Sequence, residues 1–214
     1  MNIDHIFIFS QNEGKEADDL VDFGLSEGSS RYHIGQGTRN RKFHFRNFFL
    51  EIIWVQNEKD IKNMITRPSE LYKRAELLEK DISPFGLCIS NTEDSDELFK
   101  NTYRYQPEYF PEGFPIELIK NENQPSLPWT FRLPMIAQRS HGSEPIDHAV
   151  GLKNLTGATF EYSGAVKDDF LTYFDAEDQI HFEKSSRNWL TLSFDEAKEE
   201  KSKEFKEISL TIRY

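Results

Sequence analysis

From Ile3 to Phe9 the chain is apolar on both faces apart from Asp4 and His5, which predicts a buried strand. Ala17, Leu20, Val21 and Phe23 then recur at helical spacing, with Ser10 or Asn12 placed to cap the helix and Gly24 to end it. Leu25 to Tyr32 is turn-rich, and a short strand is expected around Arg31 to Ile34. Two strands follow, Lys42 to Arg46 and Phe48 to Val55, joined by a tight turn at Arg46-Asn47. In the first of them Phe43 and Phe45 alternate with Lys42, His44 and Arg46, so His44 is expected on an exposed face. The second is apolar almost throughout and carries one carboxylate, Glu51. Burying an unpaired charge there would cost on the order of several kcal/mol, so Glu51 either lines a wet cavity or has a partner.

The order of strand, helix and further strands then recurs. Asn57 to Lys80 has a helical pattern that Pro68 splits in two. Ser83 to Ser90 reads as an apolar strand, and an acid-rich helix start follows at Thr92 to Asp96, with Leu98, Phe99 and Tyr103 as its apolar side. Phe114 to Lys120 and Leu127 to Leu133 are strands around a polar turn, and Ala137 to Asp147 reads as a linker or surface loop. Beyond it come a strand at Leu155 to Ser163, a helix at Val166 to Phe174 and strands at Gln179 to Glu183, Trp189 to Phe194 and Phe205 to Arg213. The charged run from Glu196 to Lys206 reads as a solvated hairpin loop. The expected fold class is α+β, built from repeated βαβββ units. The expected organisation is a paired unit over residues 1–136 and a further C-terminal βαβββ unit over 148–214, packed on the first.

Composition removes several classes of function. Of the 214 residues 37 % are hydrophobic and 14 % aromatic, a globular composition. A net charge of −11 and a pI near 5.1 argue against nucleic acid and anionic membrane as partners, since both need a basic face. The lone cysteine, Cys88, excludes an internal disulfide framework and a Cys-rich zinc site, and within its apolar strand it reads as a small hydrophobe. With no signal-peptide pattern and no apolar run of about 18 residues, a cytoplasmic protein is expected.

Candidate chemistry gathers in the first quarter. Gly35-Gln36-Gly37-Thr38 lacks the Lys-Ser/Thr ending of a phosphate loop and opens no helix, so its glycines serve a tight turn or a close approach to a ligand. Thr38, Arg39, Asn40 and Arg41 form a dense donor cluster, either an anion or carbonyl anchor at a cavity mouth or a surface loop. Trp129, Phe131 and Arg132 form either the opposite cavity wall or core packing.

Three motifs in order, Asp4-His5-Ile6-Phe7-Ile8, His33-Ile-Gly-Gln-Gly-Thr-Arg-Asn-Arg and Phe49-Leu50-Glu51-Ile52-Ile53-Trp54-Val55, resemble the glyoxalase-like branch of the vicinal oxygen chelate superfamily. The resemblance implies paired units whose curled mixed sheets enclose a cavity, with metal ligands supplied by a His on the first strand and a Glu on the fourth. His5 and Glu51 fall on those positions, either as ligands of a divalent ion (Zn, Fe, Mn or Ni) or as a hydrogen-bonded polar pair. The second unit departs from the pattern: Pro84 and Phe85 stand where His is expected, and Thr130 and Arg132 where a carboxylate is expected. His148 or His141 would complete a metal site only if the preceding loop folded back over the cavity. The function implied is a small-molecule enzyme of lyase or isomerase type, with Glu51 as ligand or general base and His33, Thr38, Arg39, Asn40, Trp129 and Arg132 around the substrate. The alternative is a binding protein that sequesters a small ligand. A small molecule and, as an assembly, a homodimer are the partners expected.

Overall fold

The computed structural model describes residues 1–76, 81–134, 142–164 and 169–214. Its organising element is strand β1 (Ile3–Phe9), all seven residues of which are buried. On one side β1 pairs in parallel with β4 (Phe49–Val55), and on the other it pairs antiparallel with β5 (Phe85–Ile89). Beyond β4 lie β3 (Thr38–His44) and β2 (Tyr32–His33), both antiparallel to their neighbours. Beyond β5 lie β8 (Trp129–Arg132), parallel to it, then β7 (Ile116–Ile119) and β6 (Tyr103–Tyr105). The result is a curled eight-stranded mixed sheet in the order β2-β3-β4-β1-β5-β8-β7-β6.

Helices among the described residues are short: α1 (Ala17–Asp22), α2 (Glu58–Ile61), α3 (Leu71–Ala75) and α4 (Asp169–Phe174). The long helical pattern from Asn57 breaks into α2, a 3₁₀ turn Arg67–Ser69 entered at Pro68, and α3; Leu77 to Lys80 lie outside the described residues. The helix expected from Thr92 is a single 3₁₀ turn, Glu93–Ser95. There Thr92 and Ser95 form a reciprocal capping box, and no α-helix follows. The start of the helix expected at Val166 also falls outside the described residues.

A second sheet holds β9 (Leu155–Tyr162), β10 (Ile180–Lys184), β11 (Trp189–Phe194), β12 (Ser202–Phe205) and β13 (Leu210–Arg213), in the order β10-β9-β11-β13-β12. The stretch expected as one strand from Phe205 to Arg213 is divided by a 3₁₀ turn, Lys206–Ile208. Part of the charged run pairs as β12 instead of remaining in a loop.

The two faces of the first sheet do different work. Ile6, Ile8, Leu50, Ile52, Phe85 and Leu87 point to the second sheet and share one core with Phe160, Leu190, Phe194 and Ile212. Phe85 meets Phe160 edge-on at 6.0 Å and Phe45 meets Phe194 at 4.5 Å, so the sheets interdigitate through aromatic rings. The concave face carries a second apolar cluster of Phe7, Phe9, Ile53, Trp129, Phe131 and neighbours. Loops of the second half are pinned by Arg74, a buried guanidinium that donates to the carbonyls of Leu127 and Lys120 at 2.7 Å each and also to those of Ser83 and Pro125.

Gly86 on β5 faces Phe7 across the β1–β5 ladder, and a Cβ there would lie 2.0 Å from a carbon of the Phe7 ring. The missing side chain is what lets Phe7 lie flat on the sheet. Gly86→Ala is expected to cost about 1–3 kcal/mol as an overpacked core position, measured as a lower urea midpoint at unchanged m-value.

Candidate functional site

The concave face encloses a cavity of about 160 Å³. Its walls are aromatic: Phe7 from β1, Phe49 from β4, Trp129 and Phe131 from β8, and Tyr109 and Phe110 from the loop between β6 and β7. Its polar atoms come from His5, His33, Gln36, Asn40 and Glu51, with Arg31 and Lys42 also lining it. The volume lies below the roughly 300–1,000 Å³ of drug-sized sites and suits one ring or a few heavy atoms. A larger groove of about 480 Å³ over the second sheet, lined by Tyr162, Leu171, Phe174, His181 and Phe182, contains none of the residues the sequence points to.

Strand parity explains the gathering. Thr38 to Arg41 belong to β3 rather than to a loop, because pairing with β4 satisfies their backbone groups. Alternation then sends Thr38 and Asn40 inward and Arg39 and Arg41 outward. Arg39 is exposed and donates to Ser30, while Arg41 is held by Glu27 and Asp18, and neither arginine lines the cavity. On β4 the register sets Glu51 opposite Lys42 on one side and Phe7 on the other. The Glu51 carboxylate accepts a hydrogen bond from Asn40 Nδ2 at 2.9 Å, and Asn40 Oδ1 is itself anchored by the Arg31 backbone N–H at 2.8 Å.

A second chain of hydrogen bonds fixes His33. The Gly35–Gly37 turn needs its glycines: Gly37 has φ +78°, and a Cβ there would sit 2.3 Å from the Asn57 carbonyl. That turn returns Gln36 and Thr38 to His33, where Gln36 Nε2 donates to Thr38 Oγ1 at 2.8 Å and Thr38 Oγ1 lies 2.9 Å from His33 Nδ1. With Thr38 accepting from Gln36, the tautomer that uses every group has the Thr38 hydroxyl donating to Nδ1 and the His33 proton on Nε2. Burial holds His33 below the ordinary imidazole range, so the ring is neutral at pH 7. Tyr109 closes the chain by donating to Gln36 Oε1 at 3.0 Å; burial raises its phenol far above the ordinary range, so it stays a donor.

His5 is placed differently from the expectation. It lines the same cavity as Glu51, yet its Nδ1 bonds Asp4 Oδ1 at 2.6 Å and its ring stacks on Phe49 at 4.3 Å. The expected His5–Glu51 pair is therefore replaced by two pairs, His5 with Asp4 and Glu51 with Asn40. A bulge makes the first of these possible. Ile3 pairs with Ile89 and His5 with Cys88, which leaves Asp4 as the extra residue. Ile3 consequently joins Ile6 and Ile8 in the core between the sheets, and Asp4 comes beside His5 instead of on the opposite face.

The metal set implied by the resemblance does not assemble. His148 lies away from the cavity: its Nδ1 accepts from the Ser26 N–H at 3.0 Å, its Nε2 donates to the His44 carbonyl at 3.0 Å, and the ring packs on Phe45 at 4.4 Å. His141 lies outside the described residues. Among the described residues the group whose donor atoms converge closely enough to hold an ion is Asp4, His5 and Cys88, all buried and within 4.8 Å of one another. Arg132 faces away from the cavity, as parity requires once Trp129 and Phe131 face in. It pairs with Asp96 at 2.7 Å and Glu117 at 2.5 Å. Trp129 is a cavity wall, its indole N–H donating to the Ser69 carbonyl at 2.9 Å. His44 is only partly covered, stacking on Phe49 at 5.1 Å with Glu144 3.7 Å away. Sequence reasoning missed Asp4, Gln36, Lys42, Cys88 and Tyr109. Only Gln36 and Lys42 had a legible signal, sharing strand and loop parity with residues already singled out.

No protein-family model and no curated protein matches the chain. Among solved structures the fold is shared with a hypothetical protein from Staphylococcus aureus, at TM-score 0.60 and 11 % identity over 99 % of this chain and 98 % of that one. At that identity the likeness is one of fold. No described helix is long and apolar enough to cross a membrane.

Because burial lowers the His33 pKa below its unfolded value, protonation favours the unfolded chain. The contribution of this ring to stability is complete above about pH 6.5 and is lost as pH falls below it. His148 shifts in the same direction for the same reason. Denaturant midpoints between pH 7.5 and 5 are expected to fall for the wild type and to fall less steeply for His33→Asn.

Proposed function

We propose that the protein is a glyoxalase-like small-molecule enzyme of isomerase or lyase type, moving a proton on a compact, oxygen-bearing substrate held in the concave-face cavity. The observation that carries this reading is the placement of the Glu51 carboxylate, buried and aimed by Asn40, in one aromatic cavity with a neutral His33. In it Glu51 takes the proton from carbon, and His33 Nε2–H donates to the oxygen on which charge develops. Aromatic walls exclude water and hold a flat substrate. The strand arrangement supports the vicinal oxygen chelate resemblance. β1 parallel to β4 and β5 parallel to β8, joined through the central antiparallel β1–β5 pair, make a curled mixed sheet compatible with it.

The ligand set that resemblance implies does not fit these residues, so no step here runs through a metal. The aromatic lining by itself would equally serve sequestration without chemistry, and one comparison separates the two readings. Small α-hydroxy aldehydes and ketones are incubated with the protein in D₂O, and deuterium entry at the carbon beside the carbonyl is followed by NMR. Catalysed exchange is expected for the wild type and a loss of about 10²–10⁴-fold for Glu51→Gln, with ligand-induced thermal stabilisation retained. Stabilisation without exchange in the wild type would make the protein a binder. Neither effect with any of these compounds would reject both readings for this substrate class.

A further inference from the structure

We propose that Asp4, His5 and Cys88 form a site for one thiophilic divalent cation, zinc foremost, between the two central strands of the sheet. The set shares only His5 with the ligands that the resemblance implies, and it stands independently of the proton-transfer reading. Three kinds of donor meet there, a carboxylate oxygen, an imidazole nitrogen and a thiol sulfur, with all donor atoms within 4.8 Å of one another. Two features of the ladder bring them together: the bulge turns Asp4 toward His5, and the antiparallel register sets Cys88 directly opposite His5. A tetrahedral ion with ligands at about 2.0–2.3 Å spaces its donors about 3.3–3.8 Å apart, so side-chain rotations of an ångström or so suffice.

Charge and chemistry select the ion. Asp4 as carboxylate and Cys88 as thiolate give two negative charges, which a divalent cation neutralises, and a neutral complex is what a buried site tolerates. The sulfur donor disfavours magnesium and calcium and favours zinc. The ion occupies the place of the proton between Asp4 Oδ1 and His5 Nδ1. His5 then carries its proton on Nε2, and the thiol proton of Cys88 is released to solvent, so apparent affinity rises with pH. Phe49 stacked on His5 at 4.3 Å and Phe131 edge-on at 5.3 Å hold the ring and shield the site from water. Three protein ligands make a three-coordinate protein set, with one position of the tetrahedron left open.

The test uses the full-length, reduced, chelator-stripped protein and cobalt(II) as a spectroscopic stand-in for zinc. One equivalent is expected to bind with tetrahedral ligand-field bands and a near-ultraviolet thiolate-to-cobalt charge-transfer band. Cys88→Ser should abolish that band, Asp4→Asn should weaken binding by at least about tenfold, and Glu51→Gln should leave both band and stoichiometry unchanged. Zinc alone should raise the melting temperature of the wild type but not of Cys88→Ala, a substitution that keeps the position small and apolar. A wild type without the charge-transfer band or without a zinc-induced shift overturns the site, as does a band that survives Cys88→Ser or is lost in Glu51→Gln. Deuterium exchange measured on the chelator-stripped protein keeps the proposed enzyme activity a separate question.

Discussion

The constraint on which the molecule depends is that β1 is covered on both faces and paired along both edges. One face is sealed by the second sheet and the other by the aromatic cluster, while β4 and β5 take its backbone groups. A strand in that position has no access to bulk solvent for polar side chains, yet this one begins with Asp4 and His5. Each must be satisfied inside the protein. The bulge at Asp4 is the local solution, since a regular strand would send the two side chains to opposite faces. The position of His5 in the cavity and its alignment with Cys88 are consequences of how that one strand accommodates two polar residues.

The same economy governs the other buried charge. Glu51 sits in the most apolar strand of the sheet, and what holds it is an amide rather than a cation at contact distance: Asn40, anchored in turn by the Arg31 backbone. The amide orients the carboxylate through one directional hydrogen bond, whereas a guanidinium would commit both oxygens to an ion pair. Arg132 illustrates the contrast on the opposite face, where its two carboxylate partners are committed to structure. Among the described residues, the half of the sheet that carries β6 and β7 contributes no carboxylate or imidazole to the cavity. It supplies Tyr109 and Phe110, and the Tyr109–Gln36 bond ties its loop to the turn that positions His33.

How legible all this was depended on the range of the forces involved. β1 and β11 were read with their observed bounds because their burial is written as continuous or alternating apolar residues, a local signal. Glu51 was legible as an anomaly for the same reason, and both of its offered explanations apply, since it lines a cavity and has a partner. The identity of the partner was not legible, because it follows from inter-strand register: His5 falls opposite Phe49, and Phe7 opposite Glu51. Reading Thr38 to Arg41 as a loop hid the parity that separates Asn40 from Arg39. The same parity, applied to Trp129 and Phe131, would have turned Arg132 outward. The helix expected after Thr92 failed because a capping box satisfies the first turn locally and the chain then goes over to β6. His148 was out of reach of any local rule, since its partners, Ser26 and His44, lie more than a hundred residues earlier.

Size is the last physical limit on the cavity. At about 160 Å³, lined by six aromatic rings and by Ile53, Leu71, Ile116 and Leu133, it has room for only a few heavy atoms. Selectivity must therefore come from the few polar atoms, and their roles are already divided. Glu51 accepts, while His33 in its neutral tautomer and Asn40 donate. A ligand lacking either an acceptor for His33 or a donor or acidic C–H for Glu51 would leave a buried polar group unsatisfied, at a cost of about 1–3 kcal/mol. In a site this small that penalty is comparable to the gain from burying a methyl group or two, which contribute about 0.8 kcal/mol each. On the proposed reading, hydrogen-bond complementarity therefore weighs as much as hydrophobicity in what the concave face would retain.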